Sequence, residues 1–372
     1  MYSVNSNKKL DKRISSDMKI IVSKILTQFI SVKSIFLVGG FGRGEGSVIE
    51  YQGEFQPIND YDLVVIGDCW VKNADKELFR KELALLTKIR QVDIVLLNPN
   101  KLKKLKFTMF NFDLKYSSKL LYGSNSSLDK IPSWDPNKMP TIEAVRPLFL
   151  FLSSILQAYP GKNVLKTEDI FWSYQQLTKS ILGWSTAMLI FKGKYNPSYK
   201  KRNEIFQEIF FEEFDLCKMV DEATQFKLSP KIQICSYEEL VVFWSKVNTA
   251  HLKVLKILIT RYYKIKNNNW SNVSFRYQYS LNNIAKVTYS FLSNNPHYRN
   301  CLNTDLSKLY FCIWLKDRKN KDIESSKFFY EKLRIKNKAS TLHLSDKEFL
   351  DFLLKADINA QIFYSNENKV FL

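Results

Sequence analysis

A dense run of glycines directly after a short apolar segment is the strongest constraint on how this chain can fold. Five of the eleven glycines lie between residues 39 and 46, in GGFGRGEG, behind the β-branched and aromatic segment SIFLV at 34–38. Glycines concentrate where a chain turns tightly or where a ligand approaches backbone amides. The spacing fits neither a dinucleotide fingerprint, with glycines at i, i+2 and i+5, nor a loop ending in Gly-Lys-Ser/Thr. The pattern therefore predicts a buried strand followed by either an anion-binding loop or a structural turn.

Three aspartates favour the ligand-binding alternative over a purely structural turn. Asp60 and Asp62 begin DYDLVVI, which has the composition of a buried strand, and Asp93 lies inside the apolar segment VDIVLL. Residues i and i+2 of a strand point to the same face, so Asp60 and Asp62 project together while Tyr61 and Leu63 pack behind them. Adjacent carboxylates repel unless a cation lies between them, and Mg²⁺ binds a few carboxylates plus substrate phosphates. Each aspartate alone fits a turn or an edge strand, but the three together after a glycine loop favour a metal site.

Apolar periodicity predicts an α+β chain with two domains. A small mixed β-sheet with flanking helices is expected over residues 1–135, and a mostly helical domain over 136–372. The predicted N-terminal elements are helices at 14–30 and 75–90 and strands at 34–38, 60–66 and 92–97. The predicted C-terminal helices are 143–159, 168–191 and 238–265, with shorter ones near 303–316, 324–335 and 346–356.

The order of these features resembles the nucleotidyltransferase domain of the DNA polymerase beta superfamily. In that pattern an apolar residue precedes Gly-Gly, and Asp-apolar-Asp-apolar follows; VGG at 38–40 and DYDL at 60–63 match it. GGFGRGEGS, NDYD and FDLKYSSKLLYG are similar to segments of a bacterial branch of nucleotidyltransferase-domain proteins. The resemblance covers residues 30–130 and continues more loosely at 172–202. It implies a catalytic domain at 1–135 and a helical domain at 136–372 that closes the nucleotide cleft or contacts the acceptor.

The resemblance also implies a reaction, in which a nucleoside monophosphate moves from ATP or another nucleoside triphosphate to an acceptor. Two Mg²⁺ ions, or Mn²⁺ in their place, would assist this nucleotidyltransferase reaction. Asp60 and Asp62 would hold both ions. Asp93 would ligate the ion beside the acceptor and is placed to take the acceptor's proton.

Nucleotide binding is implied for a second set of residues. The amides of Gly39 and Gly40, with the Arg43 side chain, would bind the triphosphate. Lys179 lies in a predicted helix rich in aromatic residues and is either a phosphate contact or an ordinary solvated lysine.

One segment departs from the family pattern. Nineteen residues separate Gly40 from Asp60, and the excess, IEYQGEFQPI at 49–58, has a Gln-Gly pair between strand-like flanks. This predicts a hairpin insertion. Further along, Asp113 and Lys115 in FDLKYSSKLLYG line the nucleotide side by family analogy or belong to a salt-bridged strand.

The sequence patterns that other kinds of site would need are not found. The five cysteines include no CxxC pair, which argues against a disulfide framework or a zinc module and fits a reducing compartment. His251, His297 and His343 have no metal-ligand spacing. No apolar run approaches the roughly 20 residues that span a bilayer, and the polar N-terminus lacks a signal-peptide pattern. We expect a cytoplasmic protein without membrane insertion.

The charge balance leaves the acceptor open. The chain carries 56 Lys and Arg against 37 Asp and Glu, a net charge of +19, which fits a polyanionic partner or a lysine-rich solvated surface equally well. No RNA-binding module is recognisable, so a small-molecule acceptor is slightly favoured over a hydroxyl of RNA or protein. Two alternatives stand beside this enzyme: a nucleotide-binding regulatory module without turnover, and a toxin that nucleotidylates RNA, such as tRNA, or another host component.

Overall fold

The computed structural model describes residues 1–4, 8–51, 54–58, 60–68, 73–160, 167–231 and 234–266. The chain divides into two compact units. The first contains Met1–Pro140 and Lys192–Ile232; the second contains Thr141–Phe191 and the described residues from 234 onward. The domain boundary at 135/136 stays a prediction, and it does not include the return of Lys192–Ile232 to the first unit. The shorter helices predicted after residue 300 lie outside the described residues.

The α+β class is confirmed, with a small mixed sheet in the first unit. The strands in the described residues are β1 (Val32–Val38), β2 (Val48–Tyr51), β3 (Glu54–Pro57), β4 (Tyr61–Gly67), β5 (Val92–Leu97) and β6 (Lys119–Gly123). Four of them form a sheet in the order β5-β4-β1-β6. Strand β1 is antiparallel to β4 and β6, whereas β4 and β5 are parallel. Strands β2 and β3 pair separately in antiparallel fashion, which confirms the hairpin predicted at 49–58.

Helices make up most of the other described residues. They are α1 (Lys8–Gln28), α2 (Gly39–Gly42), α3 (Asn73–Thr87), α4 (Met109–Ser117), α5 (Ser126–Asp129), α6 (Ile142–Gln157), α7 (Thr167–Phe191), α8 (Tyr199–Ile209), α9 (Phe214–Leu228) and α10 (Tyr237–Tyr262).

The segment around Asp113 and Lys115 is helical, so its interpretation as a strand is wrong. The Thr108 hydroxyl accepts a hydrogen bond from the Asn111 amide at 3.1 Å and caps the start of α4. Threonine at an N-cap satisfies an amide that has no partner inside the helix. Strand β6 begins only at Lys119.

The core of the first unit lies between the sheet and helices α1 and α3. Ile14, Ile21 and Ile25, at helical spacing on α1, are fully buried together with Leu63 and Val65 of β4. Burying such side chains is the main stabilising contribution to a fold of this kind. This packing fixes β4 and therefore the aspartates at its start.

The second unit contains α6, α7 and α10, whose facing surfaces are apolar. The Trp244 indole of α10 donates a hydrogen bond to the Ile155 carbonyl of α6 at 2.8 Å. Within the described stretches, none of the helices combines the length and the apolar character that crossing a bilayer requires.

Candidate metal centre

The three aspartates singled out by the sequence lie together. Asp60, Asp62 and Asp93 each offer one carboxylate oxygen, and these oxygens lie within 4.8 Å of one another. All three residues are half-buried. Carboxylates brought this close repel one another, and a divalent cation between them would relieve the repulsion.

Strand register explains why they meet. Asp62 of β4 lies opposite Asp93 of β5 in the parallel pair. Directly paired residues of neighbouring strands present their side chains on the same face, and the strands are about 4.8 Å apart. Asp60 lies two residues before Asp62, so strand alternation places it on that face too.

The residue between the two aspartates anchors the strand from the opposite face. Tyr61 is fully buried, and its hydroxyl donates a hydrogen bond to Oδ2 of Asp17 at 2.8 Å. Burial raises the pKa of the Asp17 carboxyl, although Tyr61 and the Arg13 guanidinium oppose that effect. Burial and the neighbouring Asp17 also raise the pKa of the Tyr61 phenol, which therefore remains a donor. This anchor under the sheet fixes the pleat that turns Asp60 and Asp62 toward each other.

The first glycine of the loop makes room for a carboxylate. Gly39 has a φ of +65°, and a Cβ there would overlap the Asp62 side chain. The positive φ favours glycine because other residues are strained in the left-handed region, and the overlap with Asp62 excludes any side chain at this position. The glycine loop therefore contributes to the position of the aspartates. The chain leaves β1 beside Asp62, and the absence of a side chain at Gly39 leaves room for the Asp62 carboxylate.

The donor set fits a hard divalent cation. Mg²⁺ and Mn²⁺ prefer carboxylate oxygens and usually keep water or substrate phosphates in their other positions. Three partly exposed carboxylates, with Gly39 leaving space beside Asp62, satisfy both requirements. Asp60, Asp62 and Asp93 are therefore the residues that would hold such an ion.

Asp93 has two further partners that the sequence did not indicate. The Arg80 guanidinium of α3 forms an ion pair with Oδ1 of Asp93. The Gln91 side-chain amide lies 2.9 Å from Oδ1 and 3.0 Å from Oδ2. A cation of the protein itself therefore compensates part of the charge of Asp93.

The later residues of the glycine loop enter a separate buried network. Arg43 donates a hydrogen bond to Oδ2 of Asp113 at 3.2 Å, and its Nε lies 3.6 Å from a Glu45 carboxylate oxygen. Tyr195 donates to Oδ1 of the same Asp113 at 2.7 Å. Burial raises the pKa of the Asp113 carboxyl, while Arg43 and the Tyr195 hydrogen bond act in the opposite direction. The role predicted for Arg43 in triphosphate binding stays a prediction, since its contacts here are made to the protein.

Glu45 joins the glycine loop to helix α8. Its carboxylate accepts hydrogen bonds from the Ser198 hydroxyl at 2.7 Å and from the amides of Tyr199 and Lys200 at 2.9 and 3.1 Å. The Ser198 hydroxyl in turn accepts from the Lys201 amide at 3.1 Å. These contacts satisfy three amides at the start of α8 and place a negative charge at the positive end of its dipole. They explain why the segment after residue 191 belongs to the first unit.

Tyr199 lies among three cations of this network. The Arg202, Arg43 and Lys227 charges are 4.3, 5.2 and 5.5 Å from the centre of its ring. Burial by itself would raise the pKa of the Tyr199 phenol, but these positive charges outweigh burial and lower it. Cations over an aromatic face are mutually stabilising with the ring. Tyr199 and Arg202 thus belong to the packed start of α8.

The remaining predicted nucleotide residues lie in different places. Gly40 packs against the loop itself: a Cβ there would lie 3.1 Å from the Glu45 carbonyl oxygen. Lys179 is half-buried in α7 of the second unit. Their roles in nucleotide binding stay predictions.

Comparison with known proteins gives weak similarities. No family model matches the chain, and no curated protein matches it. A solved structure described as a toxin-antitoxin with AMP-PNP is 15% identical, with 30% of this chain and 77% of that chain covered and a TM-score of 0.23. A toxin-antitoxin MntA-HepT structure is 14% identical, with 31% of this chain and 76% of that chain covered and a TM-score of 0.21. A mutant of that pair is also 14% identical, with 30% of this chain and 77% of that chain covered and a TM-score of 0.22. TM-scores this low do not establish a shared fold, so the function is inferred from the site itself.

Proposed function

We propose that this protein is a divalent-metal-dependent nucleotidyltransferase that moves a nucleoside monophosphate from a nucleoside triphosphate to an acceptor. The observation that carries the proposal is the convergence of Asp60, Asp62 and Asp93, with ligand oxygens within 4.8 Å, beside the turn at Gly39. Paired carboxylates that follow a glycine turn are also what the sequence shares with the DNA polymerase beta superfamily. The proposal is thus supported by motif and geometry independently.

The proposed roles follow the positions of the residues. Asp60 and Asp62 hold the metal ions, and Asp93 ligates the ion on the acceptor side. When bound, these ions activate the acceptor hydroxyl and stabilise the charge of the leaving pyrophosphate. The acceptor hydroxyl gives its proton to Asp93, its oxygen forms a bond to the α-phosphorus while the bond from that phosphorus to the bridging oxygen breaks, and pyrophosphate leaves. The amides of Gly39 and Gly40 are proposed to orient the triphosphate, with Arg43 and Lys179 as additional phosphate contacts.

A second candidate function is a nucleotide-binding module without turnover. The ion pair between Arg80 and Asp93 favours it, because a guanidinium already neutralises a carboxylate that the chemistry needs. This candidate predicts nucleotide binding that is unaffected by removal of Asp93.

The acceptor is proposed as a small molecule, with a hydroxyl of RNA or protein as the competing choice. An RNA acceptor would exchange phosphate counterions for the lysines of this basic chain, so its binding would weaken steeply with added salt. A neutral small acceptor would show little salt dependence.

The test is transfer of label from each of the four α-labelled NTPs, with Mg²⁺ or Mn²⁺ and a total cell extract. Wild type is compared with Asp60→Asn/Asp62→Asn, and with Asp68→Asn as a control. Asp68 is an exposed aspartate just after the end of β4, where it accepts a hydrogen bond from Asn98. Label transferred by wild type and Asp68→Asn, but not by the double variant, supports the proposal. Equal transfer by all three, or nucleotide binding without any transfer, overturns it.

A further inference from the structure

Arg80 is held at three points around the proposed metal centre. Its Nε donates to the Val92 carbonyl at 2.9 Å, and one terminal nitrogen pairs with Asp93. The other terminal nitrogen lies 3.1 Å from a Glu77 carboxylate oxygen, one turn earlier on α3. The side chain is 20% exposed, compared with 53% for Glu77. A side chain with this many partners has a defined position.

Both oxygens of Asp93 are already engaged in this arrangement. Oδ1 contacts Arg80, and the Gln91 amide lies within hydrogen-bond distance of both oxygens. A metal ion at Asp93 needs one of these oxygens.

We infer that Arg80 is a positioning residue that acts as the counter-ion of Asp93 and competes with the divalent ion for it. The inference rests on the proposed function and deepens it. In the metal-free protein Arg80 keeps Asp93 oriented and offsets its repulsion with Asp62. When an ion enters, the Arg80–Asp93 contact is given up, while the Val92 carbonyl and Glu77 retain the guanidinium nearby.

An ion that needs Asp93 must displace a charge-assisted contact, and this lowers the affinity with which the ion binds.

The experiment is titration of the full-length protein with Mn²⁺ alone, with free Mn²⁺ measured by electron paramagnetic resonance. Arg80→Gln is expected to tighten Mn²⁺ binding by about tenfold, which corresponds to one charge-assisted hydrogen bond. Lys81→Gln is the matched control, because it removes the same charge from an exposed neighbouring position on α3. It is expected to change the affinity less than about twofold, as exposed charges are well screened.

A second pair of variants tests whether the effect passes through Asp93. In an Asp93→Asn background, Arg80→Gln is expected to change Mn²⁺ affinity less than about twofold, because the shared partner is gone. Partial unfolding of Arg80→Gln would lower the affinity and cannot imitate a gain. Arg80→Lys keeps the charge and the helical preference, but a lysine ammonium cannot contact the Val92 carbonyl and the Asp93 carboxylate at once as the guanidinium does. An intermediate gain in Mn²⁺ affinity of about threefold is therefore expected.

The outcomes are distinguishable. Equal Mn²⁺ affinity for Arg80→Gln and Lys81→Gln, or the same gain with and without Asp93, overturns the inference and leaves the proposed function intact. If the Asp60→Asn/Asp62→Asn variant binds Mn²⁺ as tightly as wild type, the proposed function itself fails.

Discussion

Asp62 and Asp93 are direct register partners across the parallel strands β4 and β5. Two carboxylates facing each other across neighbouring strands are destabilising unless a cation compensates them. In the protein that cation is Arg80, which contacts Asp93 from α3. The same relationship prepares the pair for a divalent ion, so one feature of strand register links the stability of the sheet to the proposed chemistry.

Substitutions of Gly39 and Gly44 distinguish the effect of backbone strain from the effect of crowding at the metal centre. Both have positive φ, +65° and +78°, but a Cβ at Gly39 would overlap Asp62, whereas at Gly44 it would meet only the Met1 carbonyl oxygen at 3.7 Å. Gly39→Ala and Gly44→Ala are each expected to lose about 1–2 kcal/mol of unfolding free energy in urea titrations. Only Gly39→Ala should also lose more than roughly tenfold in Mn²⁺ affinity, since it displaces a ligand. Equal Mn²⁺ affinities for the two variants would contradict the placement of Asp62.

Glu45 is predicted to attach helix α8 to the glycine loop. Glu45→Ala removes the acceptor of two α8 amides and leaves Arg43 with less compensation, so a loss of about 3 kcal/mol in unfolding free energy is expected. Cleavage between residues 192 and 198 by a protease should become faster in the variant. Glu204→Ala is the control, as Glu204 is an exposed residue of the same helix paired with Lys201. If both variants match wild type in urea titration and proteolysis, the attachment does not depend on Glu45.

His251 predicts a pH dependence of stability in the second unit. Its Nε2 donates to the Leu148 carbonyl at 2.8 Å, and its Nδ1 accepts from the Ser180 hydroxyl at 2.9 Å, which joins α10 to α6 and α7. Burial lowers the pKa of the imidazole to about 4, although the Leu148 hydrogen bond opposes the shift.

An unfolded histidine has a pKa near 6.5, so protonation favours the unfolded chain as the pH falls below that value. The stabilisation from neutral His251 is complete above pH about 6.5 and is lost by pH about 4. Between these limits wild type should lose about 3 kcal/mol more unfolding free energy than His251→Gln, measured by urea titration at several pH values. Parallel pH profiles for the two proteins would refute a buried neutral imidazole.

Much of the first unit follows from local sequence pattern. The strand at β5 was predicted at its observed bounds, and the alternation in DYDLVVI correctly placed Tyr61 and Leu63 in the core. The β2–β3 hairpin was predicted from the Gln-Gly pair between strand-like flanks. These features depend on residues close together in the chain, where periodicity and turn composition are informative.

The features that were missed depend on distant residues. Arg80 is thirteen positions from Asp93, and helical spacing alone does not indicate that its side chain reaches the strand edge. The contact between Glu45 and the α8 amides spans more than 150 residues. Serine is a preferred N-cap residue, so Ser198 could have predicted the start of α8 at Tyr199, but not its partner in the glycine loop.

The position of the transferred phosphorus tests the central claim most directly. The protein is incubated with Mg²⁺, extract and one nucleotide labelled either at the α- or at the γ-phosphate, with Asp62→Asn alongside. Nucleotidyl transfer places the α-label on the acceptor and the γ-label in pyrophosphate, and Asp62→Asn should give neither product. Label from the γ-position on the acceptor, or equal α-labelling by wild type and Asp62→Asn, would contradict a nucleotidyltransferase centre at the three aspartates.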